Sequence, residues 1–419
     1  MPVLLPAVPI RSGVTRYVGA TLIDGTGAAP VPDSEVEVRD GAIAFAGPRR
    51  DIAVADAQVV DLAGRHLMPG FVDAHVHLSM VDTDAETQRG QFIEESVFAV
   101  GRVLEKTLAA GITTARDLDG LTPGYRNAIA AGSAIGPRLH LALSMLSPTG
   151  GHADPVLPNG ALPAWAVRPG TPPAGVVDTD ADIVTMVRSL LRSGADVIKV
   201  CTSGGAGKPT DEAGLTEQQV RLVVSLLAGR DRRPTVTAHA LTDAGVRAAV
   251  LGGAASVEHG YDMSDETIQL MVDRGTVLIP TLSTLMRELA PDQVTPARLA
   301  AREALRQRGL DSIRRAVTAG VTLAMGTDAG VHPHGRNLRE LAWLVEAGLT
   351  PLEAVCAGTL TGARLLGLDD RIGSIEEGKT ADLVVTDVDP LSDPIGMCAD
   401  AAVRLVLQSG CAVVDRLAA

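Results

Sequence analysis

Aromatic side chains are scarce in this sequence: four Phe, three Tyr and two Trp, 2 % of 419 residues. A core built on rings is thereby excluded; with hydrophobic residues at 46 %, Ala, Val and Leu must fill the interior. Basic residues are outnumbered, 37 Lys and Arg against 50 Asp and Glu, for a net charge of −13. Nucleic acid needs a basic surface, so that partner is excluded. A small anionic substrate is not excluded, because a local positive centre can outweigh the global field. Cysteine occurs four times, at Cys201, Cys356, Cys398 and Cys411, far apart and without a CxxC pair. These read as reduced, mostly buried thiols. No uncharged run is long enough to span a bilayer, so no membrane partner is expected. Residues 1–10 are apolar but broken by Pro2, Pro6 and Pro9 and lack a basic flank, which argues against a signal peptide and for a cytoplasmic location.

What is present suits a large barrel with an accessory domain, since 419 residues exceed one small core. Residues 16–23 read as a strand and Asp24-Gly25-Thr26-Gly27 as a turn. Glu35–Arg39 alternates, Asp40-Gly41 is hairpin chemistry, and residues 42–46 pair back. The same texture returns at residues 381–387, 403–407 and 412–414. One small β-sandwich domain, built from residues 1–67 and 367–419, is expected from the two ends. Between them, residues 68–366 alternate strand-like and helix-like segments, as in βα units around a parallel sheet. Eight strands are expected, at residues 70–78, 112–118, 138–146, 196–202, 234–240, 255–260, 277–282 and 322–330. Amphipathic stretches at 91–110, 180–193, 216–227 and 295–319 read as helices. Together they predict an α/β fold, a (β/α)8 TIM-like barrel whose site lies at the C-terminal strand ends. The Pro- and Gly-rich connection 147–179, with Trp165 and Gly150-Gly151-His152-Ala153-Asp154, is long enough to be functional and would cover the barrel mouth.

Period-two alternation in Met68-Pro69-Gly70-Phe71-Val72-Asp73-Ala74-His75-Val76-His77 puts His75 and His77 on one face of a strand, where two imidazoles can chelate a metal such as zinc. Later strand ends add Lys199, His239, His259 and Asp328, so four of nine histidines fall at such positions. Singly, each has a plain structural reading: a satisfied histidine, a lysine that snorkels from a barrel end, a turn or N-cap aspartate before Ala329-Gly330. Together they do not, because a buried unpaired lysine costs several kcal/mol or sheds its proton. A neutral lysine amine can take up carbon dioxide as a carbamate, an anionic ligand able to bridge two metals. Four histidines, one carbamate and one aspartate make a complete binuclear set.

These stretches, with Ser256-Val257-Glu258-His259-Gly260, Gly326-Thr327-Asp328 and the tail from Gly373 to Val384, resemble the amidohydrolase superfamily over nearly the whole chain. Residues 111–117, 150–154 and 198–205 look most like the prolidase-like dipeptidases and carboxypeptidases, a group similar to ochratoxinase as well. The resemblance implies two divalent metal ions, with zinc favoured by histidine ligation. His75, His77 and Asp328 would hold the more buried ion, His239 and His259 the more exposed one, and carboxylated Lys199 would bridge them together with a hydroxide. His152 would lie near the substrate carbonyl or carboxylate. Asp117 and Glu258 would either orient imidazoles or be purely structural. Leu241 departs from relatives that carry an aromatic or polar residue after the His-Ala pair. If that residue grips the substrate carboxylate, specificity here is shifted toward a more apolar ligand.

The implied activity is a metal-dependent hydrolase that releases a C-terminal amino acid from a dipeptide, an N-acyl amino acid or an ochratoxin-like amide. The hydroxide would attack, and Asp328 would take the proton and deliver it to the leaving amine. The alternative is a cyclic-amide hydrolase or deaminase on the same site; a remote third is a non-catalytic scaffold, although no ligand is missing. Arg116, Lys208 and Arg336 are candidates to hold a substrate carboxylate. Relatives are often dimers or larger, which implies a homo-oligomer acting on small molecules.

Overall fold

The computed structural model describes residues 13–81, 92–157, 159–161, 175–205, 214–229, 234–288, 295–399 and 401–417. Residues 1–10, Gln91, Trp165 and Lys208 lie outside the described residues. The chain opens with β1 (Val14–Leu22), β2 (Val31–Arg39), β3 (Ala42–Pro48), β4 (Gln58–Asp61) and β5 (His66–Pro69). Next come β6 (Phe71–Val76), α1 (Ile93–Ala109), β7 (Ile112–Asp117), α2 (Pro123–Ala130), β8 (Arg138–Leu141), β9 (Met145–Ser147) and β10 (Gly175–Val176). Strict alternation follows: α3 (Asp180–Arg192), β11 (Val197–Cys201), α4 (Glu217–Leu227), β12 (Thr235–Ala240), α5 (Asp243–Gly252), β13 (Ser256–His259), α6 (Asp265–Arg274) and β14 (Val277–Ile279). Helices α7 (Leu282–Leu285), α8 (Pro296–Ala319), α9 (Arg339–Glu346), α10 (Pro351–Cys356) and α11 (Gly362–Leu365) lead to β15 (Leu383–Thr386), β16 (Val403–Gln408) and β17 (Cys411–Asp415). Among the described residues no helix is long and apolar enough to cross a membrane.

Strands from both chain ends share one eight-stranded sheet, in the order β17-β16-β15-β5-β1-β2-β3, with β4 also paired to β1. The join is the antiparallel pair β15–β5, where Val385 faces Leu67 and Val384 faces Met68. Leu67, Leu383, Val385, Leu405 and Leu407 pack there into a core of their own with Val36 and Ile43.

The middle is parallel. β6, β7 and β8 form one sheet, and β10, β9, β11, β12, β13 and β14 form another. These strands are buried along nearly their whole length, as expected of parallel strands covered on both faces. Their helices are set by local signals. Thr179 and Asp182 form a reciprocal capping box at the start of α3, and Thr216 and Gln219 do the same for α4. Ile183, Val187 and Leu190 then recur at helical spacing on the buried face of α3. Helices α5, α6 and α8 end at Gly253, Gly275 and Gly320, each in the left-handed conformation that relieves a C-terminus.

Two expected strands differ. Residues 138–146 are not continuous: β8 and β9 are separated by a turn in which Leu143 takes a φ of 72°. Residues 322–330 are not a regular strand. They lie between β14 and β6 through separate hydrogen bonds: Leu278 N–H donates to Thr322 O at 2.9 Å, Ala74 N–H to Met325 O at 2.9 Å, and His77 N–H to Ala329 O at 2.8 Å. The ladder breaks because Asp328 itself turns left-handed, with a φ of 58°. Among its described residues the connection 147–179 contains one short strand, β10, paired to β9. The four cysteines are free, but only Cys201 is buried and the other three are half-buried, fewer than their spacing suggested.

Gly70 joins the two bodies: its N–H donates to Asp382 O at 2.8 Å, and the next residue, Phe71, donates to Gly111 O at 3.0 Å. A Cβ at Gly70 would lie 2.1 Å from Thr113 Oγ1 and 2.8 Å from its Cβ. Gly70→Ala is therefore expected to destabilise the fold by about 1–3 kcal/mol, the usual cost of overpacking. Urea unfolding measures it, and an unchanged midpoint would show that Thr113 can move aside.

Candidate metal centre

Parallel pairing brings the polar strand ends to one edge. In register, Lys199 stands beside Thr237, Cys201 beside His239, and Ala240 beside His259. His75 and His77 lie on β6 and just beyond it. The imidazoles then form a continuous group. His75 lies 5.3 Å from both His77 and His259, His259 lies 4.7 Å from His239, and His152 stacks on His239 at 3.9 Å with the planes 12° apart. Asp328 Oδ1 sits between the first pair, 3.3 Å from His75 Nε2 and 3.2 Å from His77 Nε2. His75, His77 and Asp328 are buried and bring one ligand atom each within 4.8 Å of the others, a group able to hold a metal ion.

Hydrogen bonds on the far side of each ring decide which nitrogen faces this centre. His75 Nδ1–H donates to Glu258 Oε2 at 2.7 Å, since a carboxylate there can only accept, and Nε2 is left for a ligand. His259 Nδ1 lies 2.7 Å from Thr281 Oγ1, which again leaves Nε2. His239 is the reverse: its Nε2 lies 3.3 Å from Gly204 O, and as a donor there it leaves Nδ1. Three imidazoles are thus turned by groups behind them so that one ring nitrogen of the neutral form could take a metal ion. Burial holds His239 and His259 well below the ordinary histidine range, which favours that neutral form.

Lys199 is 1 % exposed, and among the described residues its Nζ has no hydrogen-bond partner. Burial lowers its pKa, with Glu258 and Asp328 acting in the other direction. An ammonium in this state is costly, while a neutral amine or an anionic adduct is not. The donor set therefore fits a cationic group placed between the histidines. Asp328 belongs to the same balance: burial works to raise its pKa, and the His75 and His77 rings overcome it, so the carboxylate lies well below its usual range.

Two of these residues hold unusual backbone. His259 has a φ of 76° and Asp328 of 58°, both left-handed. Each costs on the order of 1–3 kcal/mol and persists only where the surroundings impose it. For Asp328 the imposing group is Asp73. Asp73 Oδ1 accepts from the N–H of His75 at 3.2 Å and of Thr327 at 3.1 Å, while Oδ2 accepts from Thr327 Oγ1 at 2.7 Å and Asn337 Nδ2 at 2.8 Å. For His259 it is Thr281, itself left-handed, which Tyr261 also binds through its hydroxyl at 2.7 Å.

Glu258 is an orienting residue: besides His75 it accepts from Arg116 Nη2 at 2.8 Å and from Thr237 Oγ1. Asp117 instead accepts the backbone N–H of Leu78 at 2.7 Å and of Leu121 at 3.2 Å, and burial pushes it up to about 7. Its bonds are structural. Two cations expected at a substrate carboxylate are placed elsewhere. Arg116 is fully buried and committed to Glu258 and to Ala74 O at 2.5 Å. Arg336 lines a separate cavity of about 380 Å³ with Arg102, Lys106 and Arg416. The loop bearing His152 is stapled by Asp154, which accepts from Gly150 N–H at 2.7 Å and Val156 N–H at 2.9 Å. Asp73, Thr237, Thr281 and Asn337 escaped the sequence reading; only Asp73, inside the His-x-His stretch, carried a local signal.

Glu258→Gln keeps the shape of the side chain behind His75 but removes its charge. Divalent metal is expected to bind about 10–100-fold more weakly, as measured by competition with a chromogenic chelator; equal affinity would make Glu258 a packing residue only.

Comparison with known proteins agrees with this geometry. Residues 66–413 match the model of the Amidohydrolase family. The chain is 32 % identical to ochratoxinase of Aspergillus niger over 91 % of its length and 82 % of that protein's. It is 26 % identical to imidazolonepropionase of Sphingopyxis alaskensis, over 85 % of this chain and 87 % of that one. A crystal structure of a Xaa-Pro dipeptidase with methionine bound in its active site superposes with a TM-score of 0.85 at 28 % identity, covering 96 % of this chain and 99 % of the other. Sequence, fold and strand-end chemistry thus agree that the chain belongs to the amidohydrolase family and is an amide hydrolase.

Proposed function

We propose that this enzyme releases a C-terminal amino acid from a dipeptide, an N-acyl amino acid or an ochratoxin-like amide at a centre of two divalent ions, zinc by preference. The observation that carries the binuclear part is the buried Lys199 amine, without a hydrogen-bond partner among the described residues and within electrostatic reach of His239, His259 and Asp328. If carboxylated, Lys199 would supply an anionic ligand shared by two ions, with His75, His77 and Asp328 as the residues that would hold one and His239 and His259 the other. The amide part draws on relatives named ochratoxinase and Xaa-Pro dipeptidase. We also place the centre at the mouth of a closed (β/α)8 barrel of residues 68–366, with 1–67 and 367–419 as a separate β-sandwich. The hydrogen bonds through residues 322–329 between β14 and β6 support closure, and the shared end sheet supports the second domain.

The bound ions supply a nucleophile at neutral pH and polarise the scissile carbonyl. The protein does the rest. Asp328, held ionised between His75 and His77, accepts the proton of the attacking group and returns it to the leaving amine. Its left-handed backbone, fixed through Thr327 by Asp73, holds the carboxylate in place while the proton moves. His152, stacked on His239, donates to the substrate carbonyl or carboxylate.

A second reading, hydrolysis or deamination of a ring, is favoured by the likeness to imidazolonepropionase. A screen of dipeptides, N-acyl amino acids and cyclic amides with added zinc decides between them. Ninhydrin-positive product from the open-chain amides alone is expected; turnover of ring substrates alone would transfer the assignment to the second reading.

Native mass of metal-replete, bicarbonate-treated protein is expected to carry one extra carboxyl group, absent in Lys199→Met. Plain lysine with one ion or none would overturn the binuclear centre. Asp328→Asn should lower kcat by about 10²–10⁴-fold with a much smaller change in KM. His152→Asn should lower kcat/KM with metal content near wild type. Wild-type kcat in a fully metallated Asp328→Asn enzyme would remove the aspartate from proton transfer, and metal loss in His152→Asn would make His152 a ligand.

A further inference from the structure

A substrate with a free carboxylate needs a cation beside the metal centre, and neither Arg116 nor Arg336 provides one. Leu241, directly after β12, offers only a buried apolar side chain. A cationic cluster does exist near the site, between the segment after β14 and α8. Arg302 and Arg306 reach the carbonyl end of α7, and Arg287, two residues beyond that helix, reaches the carbonyl of Val331. Arg302 donates through Nη2 to Thr284 O, Arg306 through Nη2 to Met286 O at 3.0 Å, and Arg287 through Nη1 to Val331 O.

This cluster adjoins the metal ligands. Thr284, whose carbonyl holds Arg302, turns its own hydroxyl to Thr327 O at 3.3 Å and Asp328 O at 3.5 Å. Val331, held by Arg287, lies three residues beyond Asp328. Arg302 is also within electrostatic reach of Tyr261, whose ring lies 5.4 Å from His259.

Its charge is only partly compensated. Among the described residues the one carboxylate paired with the cluster is Glu303, 3.5 Å from Arg306, itself largely exposed. Arg287 and Arg302 have backbone carbonyls as their partners, and the Nε of each is buried without any. Capping the carbonyls of a four-residue helix with Arg side chains accounts for their packing. It does not account for three guanidinium groups brought together where, among the described residues, no carboxylate is paired with Arg287 or Arg302. A carboxylate accepted in a planar fork is the ligand such a pair answers best.

We propose that Arg287 and Arg302 form the subsite for the substrate's C-terminal carboxylate, a specificity element that rests on the amide-hydrolase reading above. The amide then spans from this pair to the metal centre, and the cluster replaces any polar residue that relatives carry at the position of Leu241. Substrates with a free C-terminal carboxylate are preferred over their neutral carboxamides for this reason.

The test compares the best N-acyl amino acid of the screen with its C-terminal carboxamide in metallated wild type, Arg287→Met, Arg302→Met and Arg302→Lys. Wild type is expected to favour the acid. Each Met variant should lose about 10²-fold in kcat/KM on the acid, mainly through KM, and little on the carboxamide. Arg302→Lys should recover part of that loss, and inhibition by the free amino acid product should weaken in parallel. Metal analysis and the carboxamide rate report any damage to α7, so the acid-to-amide ratio reads recognition alone. An unchanged ratio in both Met variants, or equal loss on both substrates, overturns the subsite while leaving the hydrolase reading intact. Failure of wild type to cleave any carboxylate substrate overturns the reading that it releases a C-terminal amino acid, and the subsite with it.

Discussion

One buried carboxylate, Glu258, ties the centre together. It accepts from Arg116 of β7, Thr237 of β12 and His75 of β6 while sitting on β13. Burial works to raise its pKa, but the Arg116 guanidinium and the hydrogen bond from His75 overcome that and hold it ionised. Removing either charge of the buried Arg116–Glu258 pair would strand the other, typically at about 3–5 kcal/mol. The ion pair sets where His75 points, and His75 sets where Asp328 can sit.

The remaining ligands depend on similar supports rather than on their own strands. Regular β structure would send the side chains at 259 and 328 along the alternating pleat. Left-handed backbone at both redirects them, and its cost is offset by hydrogen bonds that only the folded centre supplies. Asp73 and Asn337 secure Asp328, while Thr281 and Tyr261 secure His259. The same constraint explains why residues 322–330 are not a continuous strand: a straight ladder there would carry Asp328 away from His75.

On the proposed reading, hydrolysis of an amide and recognition of its carboxylate would make opposite demands on one site. The metal side needs neutral imidazoles in a dry, buried setting, which burial enforces at His239 and His259. The carboxylate side needs fixed positive charge. Placing the arginines on the segment after β14, with their guanidiniums held by backbone carbonyls, keeps that charge off the histidines while leaving it next to Asp328. On that proposal an acidic protein would present a local positive rim to an anionic substrate.

Much of this was legible in the sequence because it is local. Period-two alternation put His75 and His77 on one face, and the strand-helix texture marked where Lys199, His239, His259 and Asp328 would end their segments. A lysine in an apolar strand signalled an unusual charge state by desolvation alone. What tertiary structure decided is pairing across long separations. Arg116 looked free to hold a substrate, yet Glu258, 142 residues later, occupies it. Asp117 and Glu258 were indistinguishable as neighbours of the site until one was seen to bind an imidazole and the other two backbone amides. The break between β8 and β9 carries no glycine to announce it, and at 259 and 328 the histidine and the aspartate are themselves left-handed, ahead of Gly260 and Gly330. Residue type and spacing state which chemistry a strand end can offer; which charges neutralise one another, and which remain for a substrate, depends on distances that only the packed chain defines.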